Sequence, residues 1–141
     1  MLTRDDFEEW LMGIDSRIDS LRATLPADVA GALDYSAGSL DALEEWLLSR
    51  YASTSDVIDE SEKEMLDLLA SYVGEAFRTN IGGIWNIDLE DERNVYFNIP
   101  VLEQKGKWRE CPFTVVTAAA DRRTGHYMSG VLRSYIARYQ P

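Results

Sequence analysis

Cysteine and histidine are nearly absent from this chain, which has one of each among its 141 residues. The single cysteine, Cys111, excludes an internal disulfide framework and suits a reducing compartment. With a single histidine as well, a zinc site built from the usual His and Cys ligands is excluded. No apolar run approaches the roughly 20 residues that span a bilayer, and the N-terminal residues lack the basic and apolar regions of a signal peptide. We therefore expect a soluble, cytoplasmic protein.

Motifs that carry known chemistry are also lacking. No phosphate loop, dinucleotide fingerprint, calcium loop or nucleophile elbow is present. Cys111 and His126 fall at opposite ends of a predicted helix, so a catalytic Cys–His pair is not expected. One carboxylate cluster could hold Mg²⁺ or Ca²⁺, but its place around a predicted turn favours solvated turn residues. Its members are Asp88, Glu90, Asp91 and Glu92. The sequence predicts no cofactor and no metal site, and favours a protein that is not an enzyme.

The charge is strongly negative and unevenly distributed, with a net value of −11. Residues 1–75 contain 18 acidic and 5 basic residues, whereas residues 76–141 contain 7 acidic and 9 basic residues. Such a field disfavours binding to nucleic acid or to an anionic membrane, and it would speed association with a basic protein. The alternative is that the acidic residues serve solubility alone.

Hydrophobic periodicity predicts three helices in the acidic half, residues 1–80. Thr3 is expected to cap the first helix, which runs to Leu25 because Pro26 follows. Ser39 is expected to cap the second, which runs to about Tyr51. The long third helix is expected from Asp56 to Asn80, and the stretch between the first two helices reads as a connector. The outer side of the second helix is expected to carry three acidic residues that could bind a basic partner: Asp41, Glu44 and Glu45.

A distinctive pattern closes the third helix. Gly74 lies inside the helical pattern, where glycine costs about 1 kcal/mol relative to Ala, so a close approach of another backbone is expected there. Glu75 and Arg78 are three residues apart and can pair on the helix surface. Asn80 is expected to adopt the left-handed conformation, and the Gly82-Gly83 pair then lets the chain reverse before a strand.

The pattern resembles one found in small bacterial α+β domains of unknown function. The resemblance covers roughly residues 57–120 and rests on a Tyr-x-Gly-Glu-x-x-Arg run followed by Gly-Gly-x-Trp; the matching residues are Tyr72, Gly74, Glu75, Arg78, Gly82, Gly83 and Trp85. In that group a Pro-Phe pair usually opens a further helix, and Pro112-Phe113 stands in the matching place. The resemblance implies a fold, and no activity comes with it.

After Trp85 the hydrophobic period changes from about 3.6 to 2, which predicts strands. Residues 85–89 and 95–101 are expected to form a hairpin around a turn at residues 91–94. The buried row of its second strand is expected to contain Val95, Phe97, Ile99 and Val101. A third strand at Trp108–Cys111 completes a β-meander over residues 84–111. Two helices follow within residues 112–139, the first beginning at Pro112. The whole chain, residues 1–141, is predicted to be one α+β domain.

The four tryptophans are spread over different predicted elements, as expected for anchors of a core. The competing interpretation places Trp108 on an exposed rim, where it would anchor a partner. The last helix could likewise be a partner-binding element, but a packed terminal helix is favoured.

Two function classes remain open. The first is a non-catalytic interaction protein, for instance an immunity-like or antitoxin-like inhibitor whose acidic helices bind a basic protein. The second is a small-molecule-binding or hydrolytic domain with a site near Glu75, Arg78, Trp85 and Tyr96, where Glu75 could act as a general acid or base. The second class would require a closed apolar pocket containing a carboxylate with a raised pKa.

Overall fold

The computed structural model describes residues 2–139 and confirms the α+β class. In chain order, a three-stranded antiparallel sheet, β1-β2-β3, lies between N-terminal and C-terminal helices. The helices are α1 (Arg4–Met12), α2 (Ile14–Thr24), α3 (Ala27–Gly31), α4 (Ala37–Arg50), α5 (Thr54–Val57), α6 (Lys63–Ile81), α7 (Pro112–Arg122) and α8 (Tyr127–Tyr139), and the strands are β1 (Ile84–Asn86), β2 (Val101–Gln104) and β3 (Trp108–Glu110).

The long helix α6 is the centre of the molecule, as its sequence predicts. It packs against α2, α7 and α8, and its side chains Tyr72 and Phe77 are fully buried. The helix begins at Lys63, however, and the prediction of a continuous helix from Asp56 is wrong. The Asp59 carboxylate accepts a hydrogen bond from the Ser61 backbone N–H, and this local bond competes with helix formation and yields a 3₁₀ turn over Glu60–Glu62.

The predicted first helix is two helices, because the chain breaks at Gly13. Its start is as expected: the Thr3 hydroxyl and the Asp6 carboxylate form a reciprocal capping box. At the break, the Arg17 guanidinium donates a 2.6 Å hydrogen bond to the Trp10 carbonyl. A Cβ built on Gly13 would lie 2.7 Å from the Arg17 Nη1 atom, so glycine leaves room for this arginine. The Trp10 carbonyl also accepts a 3.1 Å bond from the Gly13 N–H, so a backbone donor and a side-chain donor meet at the end of α1.

The second predicted helix, α4, starts earlier than expected. Ser36, not Ser39, is its N-cap, and the Ser36 hydroxyl accepts a bond from the Ser39 N–H. Ser39 is buried and its hydroxyl shares a 2.7 Å hydrogen bond with the Tyr72 hydroxyl. The preceding connector holds the short helix α3.

The predicted hairpin is wrong. Strand β1 pairs with β2 through Trp85 and Leu102, so the chain between residues 87 and 100 is a long irregular loop rather than a strand and a turn. Val95, expected in the buried row, is 81% exposed. The Asp88 carboxylate accepts bonds from the backbone N–H groups of Glu90 and Asp91, and these local bonds hold the loop in a non-strand conformation.

The C-terminal helices agree with their predicted bounds. Pro112 is the first residue of α7, and Arg123 ends that helix in the left-handed conformation with φ 56°. The Arg123 guanidinium then donates to the carbonyls of Leu48 and Tyr51 at the end of α4. Helix α8 packs on α4 and buries Met128 and Leu132, so the favoured packed position is confirmed. None of the helices within residues 2–139 has the length and apolar character needed to cross a membrane.

Candidate functional site

The structure brings together most of the Gly-Glu and Gly-Gly-x-Trp motif. The Arg78 Nη1 atom lies 3.0 Å from each Glu75 carboxylate oxygen, and the Trp85 indole N–H donates to the Glu75 Oε2 atom at 3.2 Å. The Arg78 Nε–H also donates to the Gly83 carbonyl at 3.3 Å. The Glu75 carboxylate and the Arg78 guanidinium thus connect the end of α6 to the glycine turn and to β1.

The glycines make this arrangement possible. A Cβ built on Gly74 would lie 2.1 Å from the Trp85 ring, so the close approach expected there is made by a side chain and not by a backbone. Gly82 is the C-cap of α6 with φ 78°, a conformation that glycine adopts without steric cost. The expectation that Asn80 takes the left-handed conformation is wrong, because Asn80 is still inside α6.

Tyr72 lies apart from the rest of the motif. Its hydroxyl accepts a 2.9 Å bond from the Tyr35 backbone N–H and bonds to Ser39, while its ring stacks on the Tyr35 ring with centroids 5.1 Å apart. Burial raises the pKa of the Tyr72 phenol. Its position indicates an anchor between α6 and the start of α4.

Glu75 is well supplied with internal partners. Its carboxylate accepts bonds from Arg78 and Trp85, and only 19% of its side chain is exposed. Tyr96, which the sequence grouped with Glu75, instead lines a polar depression together with Asp88 and Arg109, and Glu75 does not line it. The contacts of Glu75 are those of a structural pair that joins a helix to a strand.

Two residues expected to contact a partner are buried. Trp108 is 7% exposed, and its ring packs on Tyr135 at a centroid distance of 5.4 Å, so the placement on an exposed rim is wrong. Glu44 is fully buried, and its carboxylate accepts bonds from the backbone N–H groups of Tyr127 and Met128 at 3.0 and 2.9 Å. The outer-side placement of Glu44 is wrong because the first turn of α8 docks on that side of α4.

The other two residues of that set remain nearer to the surface. Asp41 is half-buried and accepts a bond from the Ser129 hydroxyl at 2.6 Å, and its Oδ1 atom lies 3.1 Å from His126 Nδ1. Glu45 is exposed. Asp41 therefore also helps to hold the start of α8, whereas Glu45 is free to face a partner.

The acidic half carries its negative charge on the surface. Within residues 1–75, thirteen acidic side chains are exposed, against three exposed basic ones. Two arginines of this region are engaged in internal contacts. The Arg22 guanidinium donates to the Leu33 carbonyl at 2.8 Å, and Arg50 forms an ion pair with Glu62 at 2.9 Å. The exposed acidic residues are Asp5, Asp6, Glu8, Glu9, Asp15, Asp19, Asp28, Asp34, Glu45, Asp56, Asp59, Glu60 and Glu64.

An apolar cleft of about 570 Å³ opens beside α6. It lies where α1, α6 and α7 meet the end of the long loop, and one carboxylate, Asp67, faces it. The Trp10 indole N–H donates to the Asp67 Oδ1 atom over a long 3.4 Å. Burial raises the pKa of the Asp67 carboxyl, and the nearby charges of Arg17 and Lys63 only partly oppose this. The cleft is lined by Leu2, Trp10, Lys63, Leu66, Asp67, Asn98, Ile99, Pro100, Phe113, Thr114 and Thr117.

Sequence reasoning did not single out Asp67. The signal that could have found it is a polar stripe on the otherwise apolar face of α6, with Asp67, Ser71 and Glu75 spaced four residues apart. Ser71 is buried and accepts a 2.8 Å bond from the Arg17 Nε–H. Trp10 and Trp85 connect the two ends of the stripe, because their rings pack edge to face with centroids 5.0 Å apart.

The remaining reactive groups do not converge. Cys111 is fully buried, and this burial raises the pKa of its thiol. His126 is exposed at the start of α8, beyond the far end of α7 from Cys111. Within residues 2–139 no group of three or more His, Cys, Asp or Glu side chains is placed to hold a metal ion. Comparison with known proteins found no matching family model, curated protein or solved structure.

Proposed function

We propose that this chain is a non-catalytic protein of the immunity or inhibitor type, which binds a basic protein partner through its acidic N-terminal helices. One observation carries the proposal: residues 1–75 expose thirteen acidic side chains and only three basic ones. A surface of one sign accelerates encounter with a partner of the opposite sign and rejects partners of the same sign. For that reason the proposal includes neither nucleic acid nor an anionic membrane. It places the protein in the cytoplasm, a reducing compartment that suits its single cysteine.

Several acidic side chains are free for such an interface. Glu8, Glu9 and Asp19 on α1 and α2 are exposed, and no hydrogen bond or ion pair from any residue between 2 and 139 holds the three carboxylates. They can therefore meet a cationic surface without first breaking internal contacts. Asp41 and Glu44, in contrast, are committed to the first turn of α8.

The test is a pull-down with the tagged chain from extract of the native cells, at low salt and at roughly 0.5 M salt, where exposed contacts are strongly screened. We expect a basic protein to be retained at low salt and released at high salt. The captured protein is then purified, and its association rate is measured over the same salt range. A rate that is independent of salt contradicts the proposal.

Matched charge variants identify the surface. The triple variant Glu8→Gln, Glu9→Gln and Asp19→Asn removes three exposed charges from α1 and α2. Its control, Glu90→Gln, Glu92→Gln and Asp121→Asn, likewise removes two glutamates and one aspartate from the exposed surface of the other half. The proposal expects slower association for the first variant and little change for the control. Equal effects would show that only the net charge matters.

A further inference from the structure

We propose that the apolar cleft beside α6 is a binding site for a small aromatic amine, whose ring packs against Trp10 and Phe113 and whose ammonium group meets the Asp67 carboxylate. This inference concerns a different surface from the proposed acidic interface and does not depend on it.

The size and walls of the cleft suit a small organic molecule. Its volume of about 570 Å³ lies within the usual range for ligand pockets, which are mainly apolar with a few polar groups. Two aromatic rings line it, with the Trp10 and Phe113 centroids 6.1 Å apart. Aliphatic side chains complete the apolar surface: Leu2, Leu66, Ile99 and Pro100.

Apart from the exposed Lys63 and from Asn98, the polar side chains that offer hydrogen-bonding groups to the cleft are acceptors. The Thr114 hydroxyl donates to the Cys111 carbonyl at 3.0 Å, and the Thr117 hydroxyl donates to the Thr114 carbonyl at 3.2 Å. With their protons committed, both hydroxyls are left as acceptors. The Asp67 carboxylate is the third acceptor. A ligand with donor groups therefore matches this wall, and an ammonium group supplies three.

Asp67 has no close cationic partner. Among residues 2–139 the carboxylate forms no ion pair within 4.0 Å, and its one hydrogen bond, from Trp10, is long. Arg17 gives its donors to Ser71 and to the Trp10 carbonyl, while Lys63 is exposed. A partly buried carboxylate in this position gains from a charge-assisted hydrogen bond.

The aromatic wall is held in place before any ligand arrives. The Arg17 guanidinium lies 4.3 Å from the centre of the Trp10 ring, and Trp85 packs against the same ring. Trp85 is itself fixed by its bond to Glu75. A wall that does not have to be ordered on binding lowers the entropic cost of binding. The glycine and tryptophan motif thus acts as the support behind the cleft.

The direct test is titration with phenethylamine, followed by calorimetry and by the ¹⁵N–¹H signal of the Trp10 indole, which a Trp10→Phe variant assigns. The matched probe is 3-phenylpropionate, which has a similar ring and chain but the opposite charge. We expect one phenethylamine site, a shift of the Trp10 signal, and at least about tenfold weaker binding of phenylpropionate, a difference of about 1.4 kcal/mol. No phenethylamine binding at millimolar concentration, or equal binding of the two probes, would overturn the proposal.

Variants then locate the site. Asp67→Asn keeps the shape but removes the charge, and we expect it to weaken phenethylamine binding at least about tenfold. Glu64→Gln is the control, because it removes an exposed carboxylate from the same end of α6. If Asp67→Asn does not fold, Thr117→Leu provides a second route, since a larger side chain in the wall should fill the cleft and abolish binding. Unchanged binding in either folded variant refutes the assignment.

Discussion

Glu44 offers the sharpest test of how this fold is held together. The side chain is fully buried, and its two carboxylate oxygens accept 3.0 and 2.9 Å bonds from the first two backbone N–H groups of α8. No hydrogen-bonded turn of α8 satisfies these N–H groups, because they belong to the start of a helix. A negative charge there also interacts favourably with the helix dipole.

The expected loss follows from these contacts. Glu44→Gln keeps one acceptor oxygen but turns an NH₂ group toward a backbone N–H, so one buried donor is left unsatisfied. Such a group costs about 1–3 kcal/mol, and the lost charge at a helix start adds up to about 1 kcal/mol. Glu44→Ala leaves both donors unsatisfied and creates a cavity, so we expect a loss of about 3–5 kcal/mol.

The assay is urea unfolding, with the midpoint and slope measured for each variant. Glu45→Gln is the matched control, because the Glu45 side chain, next to Glu44 in the chain, is exposed. Substitutions at such exposed positions usually change the free energy of unfolding by no more than about 0.5 kcal/mol. Hydrogen exchange of the α8 amides should report the same loss locally. If Glu44→Gln is as stable as Glu45→Gln, the carboxylate does not support α8 and the reasoning fails.

Two further predictions concern glycine and pH. Gly74→Ala should destabilise the protein by about 1–3 kcal/mol, because the new Cβ would meet the Trp85 ring at 2.1 Å. In Gly130→Ala no described atom would lie within 4 Å of the added Cβ, so this change in α8 should stabilise the protein by about 0.5–1 kcal/mol. The melting temperatures of both variants test these expectations. Equal shifts in melting temperature would contradict the close packing of Gly74 against Trp85. Burial raises the folded-state pKa of Asp67 above its ordinary value of 3.8, so the fold favours the neutral carboxyl. The neutral carboxyl therefore contributes to the free energy of unfolding below pH 3.8. This contribution is lost as the pH rises through the raised pKa. Melting temperatures measured from acid upward should therefore show Asp67→Asn gaining on the wild type, and a constant difference would argue against the burial of Asp67.

The starts of α1 and α7 and the glycine turn after α6 are features that the sequence predicts well, because their causes are local. The Thr3 capping box, the proline at the start of α7 and Gly82 at the end of α6 all act within four residues of chain. The Glu75–Arg78 pair is of the same kind, since residues three apart on a helix are neighbours by geometry.

The sheet shows where local reasoning fails. The alternation over residues 95–101 is typical of a strand, yet β2 begins only at Val101. Asp88 and Asn94 form side-chain bonds that shape the loop, with the Asn94 amide donating to Asp88 at 2.8 Å. Period-2 patterning describes which residues alternate, but it does not include this competition from side-chain hydrogen bonds.

By itself, then, the sequence determined the two C-terminal helices, the turn after α6, the α+β class and the imbalance of charge, because each follows from residue type and short spacing. Only the tertiary structure decided which polar residues are buried. The docking of α8 on α4 encloses Glu44, and the packing of α1 against α6 brings Trp10 to Asp67, 57 residues away in the chain. Contacts between distant segments depend on how whole faces pack, and no periodicity within one segment contains that information.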